Sequence, residues 1–308
     1  MSAVPLMNIC MIKLDENNYK MVWTSHHLLF DGWSLAILME EFLKTYENLV
    51  GGNEIVKTDS DNYLDYIRFI ERKDKDVQLN YWKNYMEGIE QSTLLPFPGI
   101  TTQRTKGIGE YDSLNLILNE ETRQKAESFA QKNRLTLNTL LQGVWSYLLH
   151  RYTGSEDVAF GVIVSGRPDE LPGIEKVGLY INTLPLHSRL ELNNNAETIN
   201  WLQDIQSRQV ESAKFQYTPL QEIQNLTGIS GDLFDSIIVF ENYPLNELIR
   251  SKNWKLKVDN VRMKEQSNYP LSLLINNSDQ ININFIYNKD ILNNEYINEI
   301  SRHFRKCT

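Results

Sequence analysis

The sequence is poor in cysteine. It holds two, Cys10 and Cys307, near opposite ends, and neither stands in a CxxC pair or a zinc-type His/Cys cluster. Disulfide frameworks and structural zinc sites need several such residues at characteristic spacings. We therefore predict no disulfide and no bound metal, as is usual for a protein of the reducing cytoplasm.

Long apolar runs and an excess of basic residues are also missing. No run reaches the roughly 18–20 apolar residues that a membrane helix needs, and the N-terminus lacks the pattern of a signal peptide. Acidic residues outnumber basic ones by 40 to 31, for a net charge of −9. A nucleic-acid binder needs a basic face for phosphates, so we expect a cytoplasmic protein with neither a membrane nor a nucleic-acid partner.

Helical and strand patterns are mixed along the 308 residues without regular βαβ alternation, which predicts an α+β fold. The predicted strands cover residues 6–14, 19–25, 111–118, 157–164, 178–186, 234–240, 255–263, 271–276 and 280–287. The predicted helices run from Asp31-Gly32 to Gly51-Gly52 and over residues 60–72, 77–86, 120–132, 137–152, 196–214 and 291–304.

A proline-rich stretch, Leu95-Pro96-Phe97-Pro98-Gly99, is followed by polar residues 101–106. Prolines and small polar residues interrupt both helix and strand. We therefore predict a division of the chain into residues 1–98 and 99–308.

One segment combines residues suited to catalysis: His26 and His27 follow a strand, and Asp31-Gly32 precedes a helix. Histidine takes and gives protons near neutrality. Because successive strand residues point to opposite faces, only one histidine should face a site and the other should be buried. Asp31 is predicted at the helix N-cap. A histidine pair is more often a surface or packing feature, and adjacent histidines rarely chelate one metal ion.

Ser25-His26-His27-Leu28-Leu29-Phe30-Asp31-Gly32-Trp33-Ser34 resembles the HHxxxDG signature of the condensation domains of nonribosomal peptide synthetases, relatives of chloramphenicol acetyltransferase. Later segments resemble further elements of that family in order. They are Tyr81-Trp82, Val164-Ser165-Gly166-Arg167-Pro168, Leu171-Pro172-Gly173-Ile174-Glu175, Val177-Gly178-Leu179-Tyr180-Ile181-Asn182-Thr183-Leu184-Pro185, Gln216-Tyr217-Thr218-Pro219-Leu220, Phe234-Asp235-Ser236 with Phe240-Glu241-Asn242-Tyr243-Pro244, and Asn268-Tyr269-Pro270-Leu271.

The resemblance implies two chloramphenicol-acetyltransferase-like lobes in a V. Residues 1–98 would be the remainder of an N-terminal lobe, and residues 99–308 a C-terminal lobe with the floor loop and latch-like segments. It also implies an acyltransferase that joins an acceptor amine to a donor thioester, with L-configured donor and acceptor. No cofactor would be bound, and substrates would arrive on the phosphopantetheine of donor and acceptor carrier domains beside an adenylation domain.

The resemblance also assigns the site residues. His27 would be the catalytic residue, as a base or by positioning the amine. His26, Asp31 and Gly32 would support it, and Arg167 would pair with Asp31. The expected channel-lining residues are Trp33, Ser34 and Asn182.

The sequence departs from the family in having only 25 residues before the histidine pair. We therefore expect an incomplete N-terminal lobe and little activity from this stretch alone. Two other functions stay open. One is an epimerisation domain, which shares HHxxxDG, and the other is a non-catalytic docking module, although such modules commonly lose the second histidine.

Overall fold

The computed structural model describes residues 5–55, 63–96, 107–168, 170–171, 176–191, 195–241, 249, 253–264, 267–277 and 280–308. The chain forms two compact units. The smaller unit comprises Met1–Arg72, Ser165–Ile181 and Tyr243–Arg262, and the larger unit comprises Lys73–Val164, Asn182–Asn242 and Met263–Thr308.

The smaller unit begins with an antiparallel hairpin of strands β1 (Met7–Lys13) and β2 (Tyr19–Ser25). Its turn is stabilised by the Asp15 carboxylate, whose Oδ1 accepts the backbone N–H groups of Asn17 and Asn18 at 3.0 Å each. Aspartate commonly closes turns in this way because its short side chain reaches backbone N–H groups two or three residues ahead. The predicted hairpin is confirmed.

Two helices follow the hairpin in the smaller unit, α1 (Gly32–Val50) and α2 (Tyr63–Glu71). Asp31 caps the N-terminus of α1, and at the other end the Gly51 N–H donates to the Glu47 carbonyl at 2.9 Å. The inner face of α1 buries a small cluster that consists of Ala36 and Met39 with Met21, Leu35 and Ile249 packed against them. The helix predicted after Asp31 is confirmed, including both of its ends.

The larger unit is built on a six-stranded mixed sheet in the order β3-β8-β7-β6-β4-β5. Its strands are β3 (Tyr111–Ile117), β4 (Asp157–Val164), β5 (Asn182–Arg189), β6 (Ser236–Glu241), β7 (Leu271–Asn277) and β8 (Ile281–Asn288). β6 pairs in parallel with β4 and β7, and the other pairs are antiparallel. The combination of helices with a mixed sheet confirms the predicted α+β class.

Helices flank this sheet: α3 (Lys75–Tyr85), α4 (Glu120–Lys132), α5 (Leu137–Thr153), α6 (Asn195–Ser212), α7 (Leu220–Thr227) and α8 (Asn294–Cys307). The core contains large side chains with no exposed surface, among them Trp82, Trp145, Phe160, Phe285 and Phe304. Full burial of an aromatic side chain contributes roughly 1.5–3 kcal/mol or more, so this unit carries most of the stabilising apolar contact.

One predicted strand is not formed, and one helix was missed. Residues 255–263 form no strand; instead, the Lys255 N–H donates to the Glu47 carboxylate on α1, so this backbone group finds its partner outside a sheet ladder. Helix α7 was not predicted, although Pro219 precedes it and Gly228, at φ +71°, follows it. Proline before a helix and glycine after it are local signals of its two ends.

The compact units also differ from the predicted division at residues 98 and 99, since residues 73–96 belong to the larger unit. Trp82 and Leu95 are fully buried in its core, and the Leu95 N–H donates to Asp235 Oδ2 at 3.0 Å. Residues 97–106 of the proline-rich stretch lie outside the described residues. The predicted break therefore lies after residues 73–96, which already belong to the larger unit.

Two half-buried tyrosines should make the larger unit sensitive to alkali. Burial, with smaller effects from nearby carboxylates, raises the pKa of Tyr269 and of Tyr296 from 10.0 to about 12. The unfolded chain would release these protons first. The contribution of the two tyrosines to the free energy of unfolding is therefore fully present below pH about 10 and is lost as the pH rises towards about 12. Urea unfolding across this range should show the decline, and it should be shallower in a Tyr269→Phe and Tyr296→Phe double variant. Equal slopes in parent and variant would contradict the assignment.

Candidate functional site

The two histidines lie in a tight turn that follows β2. The His26 N–H donates to the Leu6 carbonyl at 2.7 Å, and the His26 carbonyl accepts from the Leu29 N–H at 3.1 Å. The Leu28 N–H donates to His26 Nδ1 at 3.1 Å. The His26 ring thus stabilises the turn from within.

Both histidine side chains are exposed in the structure. The prediction that His26 is buried was therefore wrong, because the backbone leaves the extended conformation at His26 and strand alternation no longer applies to His27. Among the described residues, none makes a hydrogen bond to the His27 ring. An accessible imidazole of this kind can accept a proton from a bound molecule or donate a hydrogen bond to it.

The Asp31 carboxylate is 1% exposed and is the centre of the polar contacts behind this turn. Its Oδ1 accepts the Ser34 N–H at 2.8 Å, which is the N-cap contact of α1. Its Oδ2 accepts the backbone N–H of Tyr180 at 3.2 Å. The Asp31 N–H in turn donates to the Gly178 carbonyl at 3.2 Å. One buried residue therefore joins the turn, the start of α1 and segment 178–180.

Arg167 supplies the charge that the buried carboxylate needs. Its Nη2 lies 3.0 Å from Asp31 Oδ1 and 3.3 Å from Oδ2, and its side chain is 6% exposed. Its Nη1 donates to the Lys176 carbonyl at 2.8 Å, and the guanidinium carbon lies 4.1 Å from the centre of the Tyr180 ring. The pair expected from the sequence is present. Removing either partner of a buried ion pair strongly destabilises the protein, because the remaining buried charge then has no opposite charge beside it.

Ser34 was predicted to line a channel, and the structure corrects this. Its side chain is fully buried. The hydroxyl oxygen accepts from the Gly178 N–H at 3.1 Å and from Arg167 Nη2 at 2.9 Å, and lies 2.8 Å from Asp31 Oδ1. Ser34 therefore supports Asp31 and is shielded from any substrate. A serine three residues after a capping aspartate is compatible with either position, so the sequence could not decide.

The neighbouring residues Gly32 and Trp33 open helix α1. Gly32 is half-buried, and Trp33 keeps 37% of its surface exposed. The Trp33 side chain is thus accessible, as a channel-lining residue must be. The predicted role of Gly32 in leaving space for a substrate arm stays a prediction.

Asn182 lies in the larger unit, at the first position of β5. Its Nδ2 donates to the carbonyls of Gln216 and Thr218, at 2.8 Å each. Thr218 Oγ1 then donates to Gln78 on α3 at 3.0 Å. The side chain of Asn182 is half-buried and holds the turn before α7, and its predicted role in lining a channel stays a prediction.

Residues 172–175 of the floor-loop element and residues 242–244 of the Phe-Glu-Asn-Tyr-Pro element lie outside the described residues. Within the described part of the chain, no three His, Cys, Asp or Glu side chains are grouped so that they could hold a metal ion. The same residues include no helix with the length and apolarity required to cross a bilayer.

Comparison with known proteins identifies the family of the chain. The family model for the condensation domain matches residues 1–308, and the chain belongs to this family. Bacitracin synthase 3 of Bacillus licheniformis is 35% identical over 301 residues, 97% of this chain. Gramicidin S synthase 2 of Brevibacillus brevis is 32% identical over 307 residues, 98% of this chain. The chain spans only 5% and 7% of the length of these two relatives.

Solved structures show the same fold at low identity. The X-domain from teicoplanin biosynthesis matches with a TM-score of 0.80 and 16% identity, over 98% of this chain and 71% of that one. The first condensation domain of the CDA synthetase matches with 0.74 and 16%, over 98% and 66%. The epimerization domain of the third module of tyrocidine synthetase B matches with 0.71 and 16%, over 99% and 71%. The same fold therefore occurs in an X-domain, a condensation domain and an epimerization domain.

Substitutions in the buried pair should reduce stability. Asp31→Asn and Arg167→Met should each lower the free energy of unfolding by about 3 kcal/mol, because each leaves a buried polar partner unmatched. The double variant should lose less than the sum of the two, since both changes remove the same interaction. Urea unfolding followed by tryptophan fluorescence gives these values.

A matched control is Lys125→Met, which removes an exposed ion pair with Glu121 on α4. Its loss should stay below about 1 kcal/mol. If neither Asp31→Asn nor Arg167→Met is less stable than the parent, the pair does not hold the turn as described.

Proposed function

We propose that this chain catalyses amide-bond formation as the condensation domain of a nonribosomal peptide synthetase. The acceptor amine attacks the donor thioester carbonyl. A C–N bond forms, the C–S bond breaks, and the proton that leaves the amine is balanced by protonation of the departing thiolate. The observation that carries the proposal is the exposed His27 imidazole on a turn held from behind by the buried Asp31–Arg167 pair.

His27 is the residue that we propose to act on the amine. An imidazole can accept the amine proton as the C–N bond forms, or accept a hydrogen bond that orients the amine towards the carbonyl. A neutral amine is a good nucleophile, so orientation alone supplies a large part of the rate. The buried carboxylate of Asp31 is 1% exposed and is engaged with Arg167, which leaves it a supporting role.

The substrates and partners form part of the proposal. Both acyl groups would arrive on the phosphopantetheine arms of donor and acceptor carrier domains, with an adenylation domain in the same assembly. Membership of the family and similarity to bacterial peptide synthases support this. The proposal places the chain in the cytoplasm, where the exposed thiols of Cys10 and Cys307 stay reduced. We also propose L-configured donor and acceptor groups, on the basis of Trp33 directly after Asp31-Gly32.

The test is a His27→Ala variant in the full-length gene product, supplied with separately loaded donor and acceptor carriers. Loss of a general base or a positioning group should reduce amide formation by about 100-fold or more. The product is measured by mass spectrometry after release from the carrier. His303→Ala changes an exposed histidine of α8 and should leave the rate unchanged.

Near-parent amide formation by His27→Ala would remove His27 from the reaction. A chiral analysis of the same products separates the alternatives. Inversion of the donor stereocentre without a new amide would identify an epimerisation domain. Binding of a partner enzyme with neither product would identify a docking module, and preferential use of a D-configured donor would overturn the proposed L-to-L subtype.

A further inference from the structure

Helix α2 presents two tyrosine hydroxyls to one short backbone segment. The Tyr63 hydroxyl donates to the Leu179 carbonyl, and the Tyr66 hydroxyl donates to the Tyr180 carbonyl at 3.3 Å. Two consecutive carbonyls of segment 178–180 therefore accept hydrogen bonds from side chains of α2. Helical residues three apart share a face, which is why Tyr63 and Tyr66 reach the same segment.

The rings that carry these hydroxyls pack around Tyr180. The centre of the Tyr180 ring lies 5.3 Å from that of Tyr63 and 4.6 Å from that of Tyr66, and the Tyr63 and Tyr66 centres are 5.5 Å apart. Arg167, the partner of Asp31, covers the Tyr180 ring at 4.1 Å. The aromatic group therefore connects α2 directly to the cation of the buried pair.

Two glycines permit this close approach. A Cβ on Gly178 would lie 2.4 Å from Tyr63 Cδ2, so any larger residue would displace the Tyr63 ring. A Cβ on Gly166 would lie 1.9 Å from the Tyr180 carbonyl oxygen, and Gly166 adopts φ +58°, which side-chain-bearing residues rarely tolerate. The local sequence is thus adapted to let α2 and segment 178–180 touch.

On its opposite side, the same segment forms hydrogen bonds with Asp31 and Ser34. The Gly178 carbonyl accepts the Asp31 N–H at 3.2 Å, the Gly178 N–H donates to Ser34 Oγ at 3.1 Å, and the Tyr180 N–H donates to Asp31 Oδ2 at 3.2 Å. Segment 178–180 therefore lies between the α2 hydroxyls and Asp31. Only Leu28, Leu29 and Phe30 separate Asp31 from His27 along the chain.

We propose that Tyr63 and Tyr66 are positioning residues, which hold His27 in place through segment 178–180 and Asp31. The catalytic consequence rests on the proposed function. Burial, and secondarily the charge of Asp31, raises the pKa of Tyr63, so its hydroxyl remains a hydrogen-bond donor through neutral pH. If the tyrosines served packing alone, their rings would suffice and their hydroxyls would be dispensable.

Phenylalanine substitutions separate the hydroxyls from the rings. Tyr63→Phe and Tyr66→Phe each remove one hydrogen bond and keep the aromatic packing. A typical hydrogen bond of this kind is worth a factor of about five in the local opening equilibrium. Amide hydrogen exchange in residues 26–34 and 176–181 should therefore become about fivefold faster in each variant. Tyr46→Phe, at an exposed position of α1, is the matched control and should leave exchange unchanged.

The same full-length variants are assayed for amide formation with loaded carriers. Because the reacting group is mispositioned while carrier binding is intact, kcat should fall about fivefold or more with KM unchanged. Thermal unfolding is recorded alongside, and melting temperatures close to that of the parent show that the variants are folded.

Unchanged exchange in residues 26–34 in both variants would overturn the proposal. Faster exchange with unchanged kcat would also overturn it, since the hydroxyls would then matter for structure only. If the parent protein itself forms no amide, the proposed function fails. In that case, faster exchange in residues 26–34 would support the positioning of the turn by itself, and unchanged exchange would overturn it.

Discussion

The smaller unit depends on one buried carboxylate. Asp31 accepts hydrogen bonds from the start of its own helix, from a guanidinium 136 residues later in the chain and from the backbone of segment 178–180. Removing a carboxylate from water costs several kcal/mol, and only a paired cation with further donors offsets that cost. The turn carrying His27 is therefore held by an interaction that is lost as a whole if one partner is removed.

The chain connects this interaction to the larger unit through β4 and β5. These strands are antiparallel neighbours, with Val164 opposite Asn182, and residues 165–181 connect them. That connection carries Arg167, Gly178 and Tyr180, and each of these residues forms a hydrogen bond with Asp31. These three residues belong to the smaller unit, as Asp31 does, so the polar contacts of the site lie within that unit.

Much of the fold could be predicted because its signals are local. The hairpin has its Asp15 turn, α1 has Asp31 before it and Gly51 after it, and the strands show apolar alternation. Local signals also have limits. The sequence of residues 255–263 has the pattern of a strand, but the Lys255 N–H donates to a carboxylate of α1. A strand needs a neighbouring strand edge, and no local pattern reveals one. Helix α7 was marked by Pro219 and Gly228 and could have been found.

By itself, the sequence determined the α+β class and the Asp31 cap of α1, because periodicity and helix caps depend on neighbouring residues. Its ordered motifs resembled one family, and that resemblance implied the pairing of Asp31 with Arg167. Only the tertiary structure decided that His26 is exposed, that Ser34 is buried and that Tyr63 and Tyr66 bind segment 178–180. His26 is exposed because the chain leaves the extended conformation there. The other two outcomes depend on contacts between residues more than 100 positions apart, such as Ser34 with Gly178 and Tyr66 with Tyr180. Helix or strand periodicity specifies which face a side chain occupies, whereas the chain's long-range packing decides what meets that face.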